Sequence, residues 1–128
     1  MTAALLVVSA GGVAMAQAKG GYTAAQAERG TKTFNTSCSI CHGEGLGGGP
    51  GTPPLAGPEF MFTWKAKTAA ELYDYVKANM PPAGPGSLSD QQYADVVAVI
   101  LKANDHPAGD AELTPDAATQ KGVRVGGP

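Results

Sequence analysis

With 128 residues the chain is one domain at most, and that length caps the core it can build from its own side chains. Eighteen glycines against three Phe, four Tyr and one Trp make it glycine-rich and aromatic-poor, a chain that gains from a large apolar prosthetic group serving as core. A formal net charge of −2 excludes a polyanion-binding surface, and nucleic acid with it.

From Ala3 to Ala16 the residues are almost wholly apolar or small, ending in Ala14-Met15-Ala16 before Gln17. The pattern matches the hydrophobic region and cleavage site of a secretory signal peptide. It is shorter than the about 20 residues a membrane span needs. No Lys or Arg precedes the run, so either the start lies upstream or the signal is a weak one. Retention of residues 1–16 as an anchor is the alternative, and the only route to membrane contact. The expected division is a signal segment over 1–16, a folded domain over 17–104 and a tail over 105–128.

Thr23 and Gln26 have capping-box spacing, and the alanines after Thr23 are strong helix formers. The helix is expected to run to Asn35 or Thr36, with Gly30 and Phe34 on one face. A glycine inside a helix costs about 1 kcal/mol relative to alanine, so Gly30 signals close approach by another element, unless it is an exposed glycine merely tolerated.

The helix delivers Cys38-Ser39-Ile40-Cys41-His42, which holds both cysteines of the chain. This Cys-x-x-Cys-His run reads as a c-type haem attachment site: two thioethers to the haem and His42 as proximal iron ligand. The rival readings are weaker. A redox-active dithiol would favour a strand-helix-strand context that is lacking here. Structural zinc wants four Cys or His ligands, and only the distant His106 could be added. A disulfide across two residues would constrain little chain.

Between Gly43 and Gly57 lie seven glycines and three prolines, with Pro58 just beyond, which predicts a loop. No Gly-Lys-Ser/Thr follows, so a phosphate cradle is not indicated. A backbone carbonyl in the rigid Pro53-Pro54-Leu55 turn is placed to accept the free His42 N–H, fixing its orientation. Phe60, Met61, Phe62 and Trp64 read as pocket wall, with a haem propionate as candidate partner for the Trp64 N–H.

Thr68 with Glu71 opens a second helix from Ala69 to about Asn79, carrying Leu72, Tyr75 and Val76 on its apolar face. Met80-Pro81-Pro82 ends it. Met80 therefore sits on a stiff turn, which suits an axial ligand, whereas Met61 in its aromatic run reads as core filler. Ser89 and Gln92 cap a third helix through Ala103, with Tyr93, Val96, Val97, Ile100 and Leu101 as a continuous apolar stripe. Beyond Asn104 periodicity vanishes, and residues 105–128 read as an extended or disordered tail, a candidate docking strap. His106, just before Pro107, reads as a solvated surface histidine.

In this order the pieces resemble the class I cytochromes c, above all small bacterial monohaem ones. The resemblance spans Ala24 to Ala103 and rests on Gly30, Phe34, Cys38, Cys41 and His42, on Pro53 to Gly57, on Met80-Pro81-Pro82 and on the helix start at Ser89. It implies an all-α fold in which three main helices wrap one covalent haem c beside a long glycine and proline loop. By position, Cys38 and Cys41 hold the haem, His42 and Met80 ligate the metal, the Pro53 carbonyl receives the His42 N–H, and the first and last helices cross at Gly30. Relatives often pack an aromatic on that glycine; here the register gives Val99. The implied function is one-electron transfer on the exported, periplasmic side of the membrane, with no catalytic residue. The protein would be a free carrier or the cytochrome subunit of a dehydrogenase or respiratory complex, exchanging electrons with redox proteins such as a dehydrogenase or an oxidase. The alternative is a haem enzyme or gas sensor with a labile distal ligand.

Overall fold

The structure, a computed structural model, describes residues 20–127, so the segment expected as a signal peptide lies outside the described residues. Among the described residues six helices follow in order: α1 (Ala24–Ser37), α2 (Ser39–His42), α3 (Pro58–Trp64), α4 (Ala69–Asn79), α5 (Asp90–Ala103) and α6 (Ala117–Lys121). Among the described residues, extended pairing is confined to two isolated bridges, Gly49 with Thr52 and Thr68 with Arg124. The fold is all-α, as the sequence predicts.

The helix starts follow their local chemistry. Complete capping boxes open α4 and α5, each with the N-cap side chain and the third helical residue satisfying one another's backbone N–H. At α1 only half the box forms. The Thr23 side chain accepts from the Gln26 N–H, but the Gln26 side chain turns inward to Asp95 and Leu113. The short α3 adds a helix where the sequence reading expected only an aromatic run.

Helices α1 and α5 form the principal packed pair. A Cβ on Gly30 would collide with the Asp95 carbonyl oxygen and the Val99 side chain, so the two backbones approach where only glycine fits. The tight crossing is kept without an aromatic, because Val99 fills the space beside it.

The largest departure from expectation lies after Asn104. Residues 105–127 fold back over the helices instead of trailing away. Tyr22 donates to the His106 carbonyl at 2.5 Å, and the Gly109 N–H donates to the Tyr22 carbonyl at 2.7 Å. Gln26 clamps both backbone groups of Leu113, at 2.6 and 2.7 Å. Farther on, the Ala69 N–H donates to the Val123 carbonyl at 2.7 Å and the Val125 N–H to the Lys67 carbonyl at 2.9 Å. Leu113 and Val125 are fully buried by this return. It explains why every residue of α5 from Tyr93 to Leu101 is buried, including Asp95, and not only the expected stripe. His106 is buried beside the Tyr22 ring, which corrects its reading as a solvated histidine.

Candidate functional site

The Cys-x-x-Cys-His run sits where α1 gives way to the single turn of α2. The Cys38 N–H closes α1 by donating to the Phe34 carbonyl at 2.8 Å, and the His42 N–H reaches back to the Cys38 carbonyl at 3.0 Å. One helical turn thus separates Cys38 from His42, placing both on one face. Both cysteines are unpaired; Cys38 is half-buried and Cys41 exposed. Burial pushes the Cys38 thiol up. Among the described residues no three His, Cys, Asp or Glu side chains converge as a metal-ion site, so the zinc reading finds no ligand set.

His42 is buried and its Nδ1 lies 3.0 Å from the Pro53 carbonyl. A carbonyl can only accept, so Nδ1 carries the proton and Nε2 keeps its lone pair for a metal. The glycine loop makes this contact. The Gly48 N–H donates to the His42 carbonyl at 2.8 Å with Gly48 at φ +75°, and a Cβ there would lie 2.8 Å from Pro53 and Pro54 backbone atoms.

In front of His42 lies a cavity of about 430 Å³. Its walls come from α1 (Phe34), α2 (Cys41, His42), α3 (Phe60, Trp64), α4 (Leu72, Val76), the turn after it (Met80, Pro81) and α5 (Val96, Ile100). That is far more room than a native interior leaves between side chains, and its walls are mostly apolar. The fold is therefore built around a filler. An apolar lining with two thiols and a histidine at one side suits a covalent haem.

The expected site residues separate cleanly by place. Cys38, Cys41, His42, Pro53, Trp64 and Met80 all line this one cavity. Met61 does not; it packs on the hydrophobic core instead. Phe62 is 88 % exposed, which corrects its reading as pocket wall. The helical form of α3 is the reason, since residues four apart, Phe60 and Trp64, share a face while Phe62 points away. Trp64 stacks near Phe60 at 6.1 Å and meets Tyr75 edge-on at 5.4 Å. His106 lies outside the lining.

Sequence reasoning missed Glu59 and Thr63, which also line the cavity. Pro58 at the first helical position with Glu59 in the first turn was the available signal for α3.

Comparison with known proteins places the chain among cytochrome c domains. The family model described as cytochrome c oxidase, cbb3-type, subunit III matches residues 25–100. A thiosulfate dehydrogenase of Psychrobacter arcticus is 35 % identical over 103 residues, covering 66 % of this chain and 31 % of its own length. The chain thus spans about a third of that relative. No solved structure matches.

Proposed function

The chain belongs to the family of cytochrome c oxidase, cbb3-type, subunit III, and from that premise we propose that it carries single electrons between redox proteins through a haem iron ligated by His42 and Met80. It is a small monohaem cytochrome c of the class I type with one covalent haem c. When bound, the haem supplies an iron that takes up and releases one electron.

The protein's own residues do the rest. Cys38 and Cys41 form the thioethers. His42, its Nδ1–H donated to the Pro53 carbonyl at 3.0 Å, is held in one tautomer and one orientation with Nε2 toward the cavity. Met80 offers a soft thioether, which favours the reduced iron and raises the potential. With His42 and Met80 both holding the iron, no open position would be left for a substrate. The apolar walls exclude water, and the Trp64 indole N–H is a donor for a propionate. Glu59, exposed at the start of α3, and Tyr75, 55 % exposed, mark the open side.

The observation that carries this reading is that His42 and Met80, from separate elements, line one cavity while Met61 does not. Partners are a dehydrogenase, a respiratory complex or an oxidase, met on the exported side of the membrane. Among the described residues no helix is long and apolar enough to cross a membrane. Residues 105–127 pack on their own domain, so the segment is not the extended tail the sequence suggested.

An enzymatic reading has one support, the relative that is a thiosulfate dehydrogenase. Optical spectra of the oxidised and reduced protein test both. The oxidised protein should show a sulfur-to-iron charge-transfer band that Met80→Ala abolishes, should resist carbon monoxide when reduced, and should not be reduced by thiosulfate alone. A band that survives Met80→Ala would move the ligand to Met61. Ready carbon monoxide binding or reduction by thiosulfate would favour the enzyme.

A further inference from the structure

Met80 opens the ten-residue connection 80–89 between α4 and α5, a stretch with three prolines and two glycines. Its internal hydrogen bonds are local: the Gly84 N–H donates to the Pro81 carbonyl at 2.9 Å and the Ser87 N–H to the Gly84 carbonyl at 3.0 Å. In a continuing helix the Gly84 N–H would serve the Met80 carbonyl, so that carbonyl needs another donor. Tyr93 supplies it. The side chain is fully buried, and its hydroxyl donates to the Met80 carbonyl at 2.7 Å while accepting the Leu88 N–H at 3.4 Å.

One hydroxyl thereby ties the start of the connection to its end. The Met80 N–H is held as well, donating to the Val76 carbonyl at 2.8 Å. Both backbone polar groups of Met80 are thus fixed by groups on helices, one on α4 and one on α5. Only side-chain rotation is left to move the thioether. Tyr93 shares the α5 face of Val96 and Ile100, which line the cavity, but does not line it itself.

We propose that Tyr93 is a positioning residue for Met80, its hydroxyl holding the 80–89 connection shut so that the thioether stays on the iron. The proposal rests on the reading of Met80 as axial ligand. A purely structural role would instead be to satisfy a buried carbonyl, with no bearing on ligand exchange.

Imidazole binding to the oxidised, full-length holoprotein separates these, followed by loss of the sulfur-to-iron band. Tyr93→Phe removes the hydroxyl and keeps the ring. It should speed displacement of Met80 by about fivefold, the change that one ordinary hydrogen bond corresponds to. Tyr73→Phe is the control: its ring packs edge-on against Tyr93 at 6.4 Å, but its hydroxyl donates to the Asp90 carbonyl at 3.4 Å. It should leave the rate unchanged. An unchanged rate in Tyr93→Phe, or an equal acceleration in Tyr73→Phe, overturns the positioning role while the Met80 reading stands. A wild-type protein with no such band overturns the Met80 reading first, and this proposal with it. Should Tyr93→Phe not accumulate as holoprotein, NMR of the wild type tests the hydrogen bond on which the positioning role depends. A slowly exchanging Tyr93 hydroxyl proton is expected, and one averaged with water overturns the proposal.

Discussion

At the scale of single residues, the glycine loop earns its composition at one position above all. Gly48 stands at φ +75°, a conformation that costs a side chain roughly 1–2 kcal/mol, and a Cβ there would press on the backbone that presents the Pro53 carbonyl to His42. Gly48→Ala should therefore lower unfolding free energy by about 2–4 kcal/mol, adding the clash to the strain. It should also raise the reduction potential, because a weaker Nδ1–H bond to the Pro53 carbonyl leaves His42 less basic and a poorer ligand for oxidised iron. Denaturant unfolding and redox titration check the two effects; a fully stable Gly48→Ala protein would refute the close approach. The attachment run was readable because its five residues are contiguous, and the turn at Met80 because its prolines are local. The hydroxyl of Tyr93 was not, since a tyrosine at helical spacing looks the same whether its oxygen has a task or not. The burial of His106 was equally hidden, because it depends on Tyr22, 84 positions away.

Among the elements, α5 is the one on which the others converge, and its buried Asp95 is the joint. Arg29 grips that carboxylate with two hydrogen bonds of 2.8 Å and reaches Glu112 with two of 3.1 Å, while Gln91 and Gln26 donate to Asp95 at 2.8 and 3.2 Å. Burial alone raises the carboxyl, but the hydrogen bonds from Arg29, Gln91 and Gln26 outweigh it and hold the group below the ordinary carboxylate value. A folded-state value below the unfolded one means the fold binds the ionised form more tightly. Its stabilisation is complete above the unfolded value of about 4 and fades as pH falls through the folded value. Asp95→Asn should thus cost on the order of 2 kcal/mol at pH 7, and the difference from wild type should shrink as pH drops below about 4. Denaturation at stepped pH measures it; a difference that stays constant would assign the loss to packing alone. The three long helices were legible because capping and period agree over ten or more residues. The return of residues 105–127 carries no period, and its hold comes from hydrogen bonds to Tyr22, Gln26, Lys67 and Ala69 and from buried side chains, among them His106, Leu113, Gln120 and Val125, that sequence cannot pair with their neighbours.

For the whole molecule, the question is where a chain so poor in aromatics finds its stability. Its protein core is almost all on one side, in α5 and what α1, α4 and the C-terminal return lay against it. On the other side α2, α3, the glycine loop and the turn at Met80 face one another chiefly across the cavity of about 430 Å³. Filling that space would take its apolar walls out of water, in a domain whose net stability is only about 5–15 kcal/mol. The prosthetic group is then part of what holds the fold together. Protein made without attached haem, as a Cys38→Ala/Cys41→Ala double variant, should lose most of its helical circular dichroism at 25 °C. The α1–α5 pair, with its backbone contact at Gly30, should retain what remains. A haem-free chain that keeps the full helical signal and a cooperative thermal transition would mean that the cavity walls hold themselves apart. The side chains around it would then carry more of the fold than their few mutual contacts suggest.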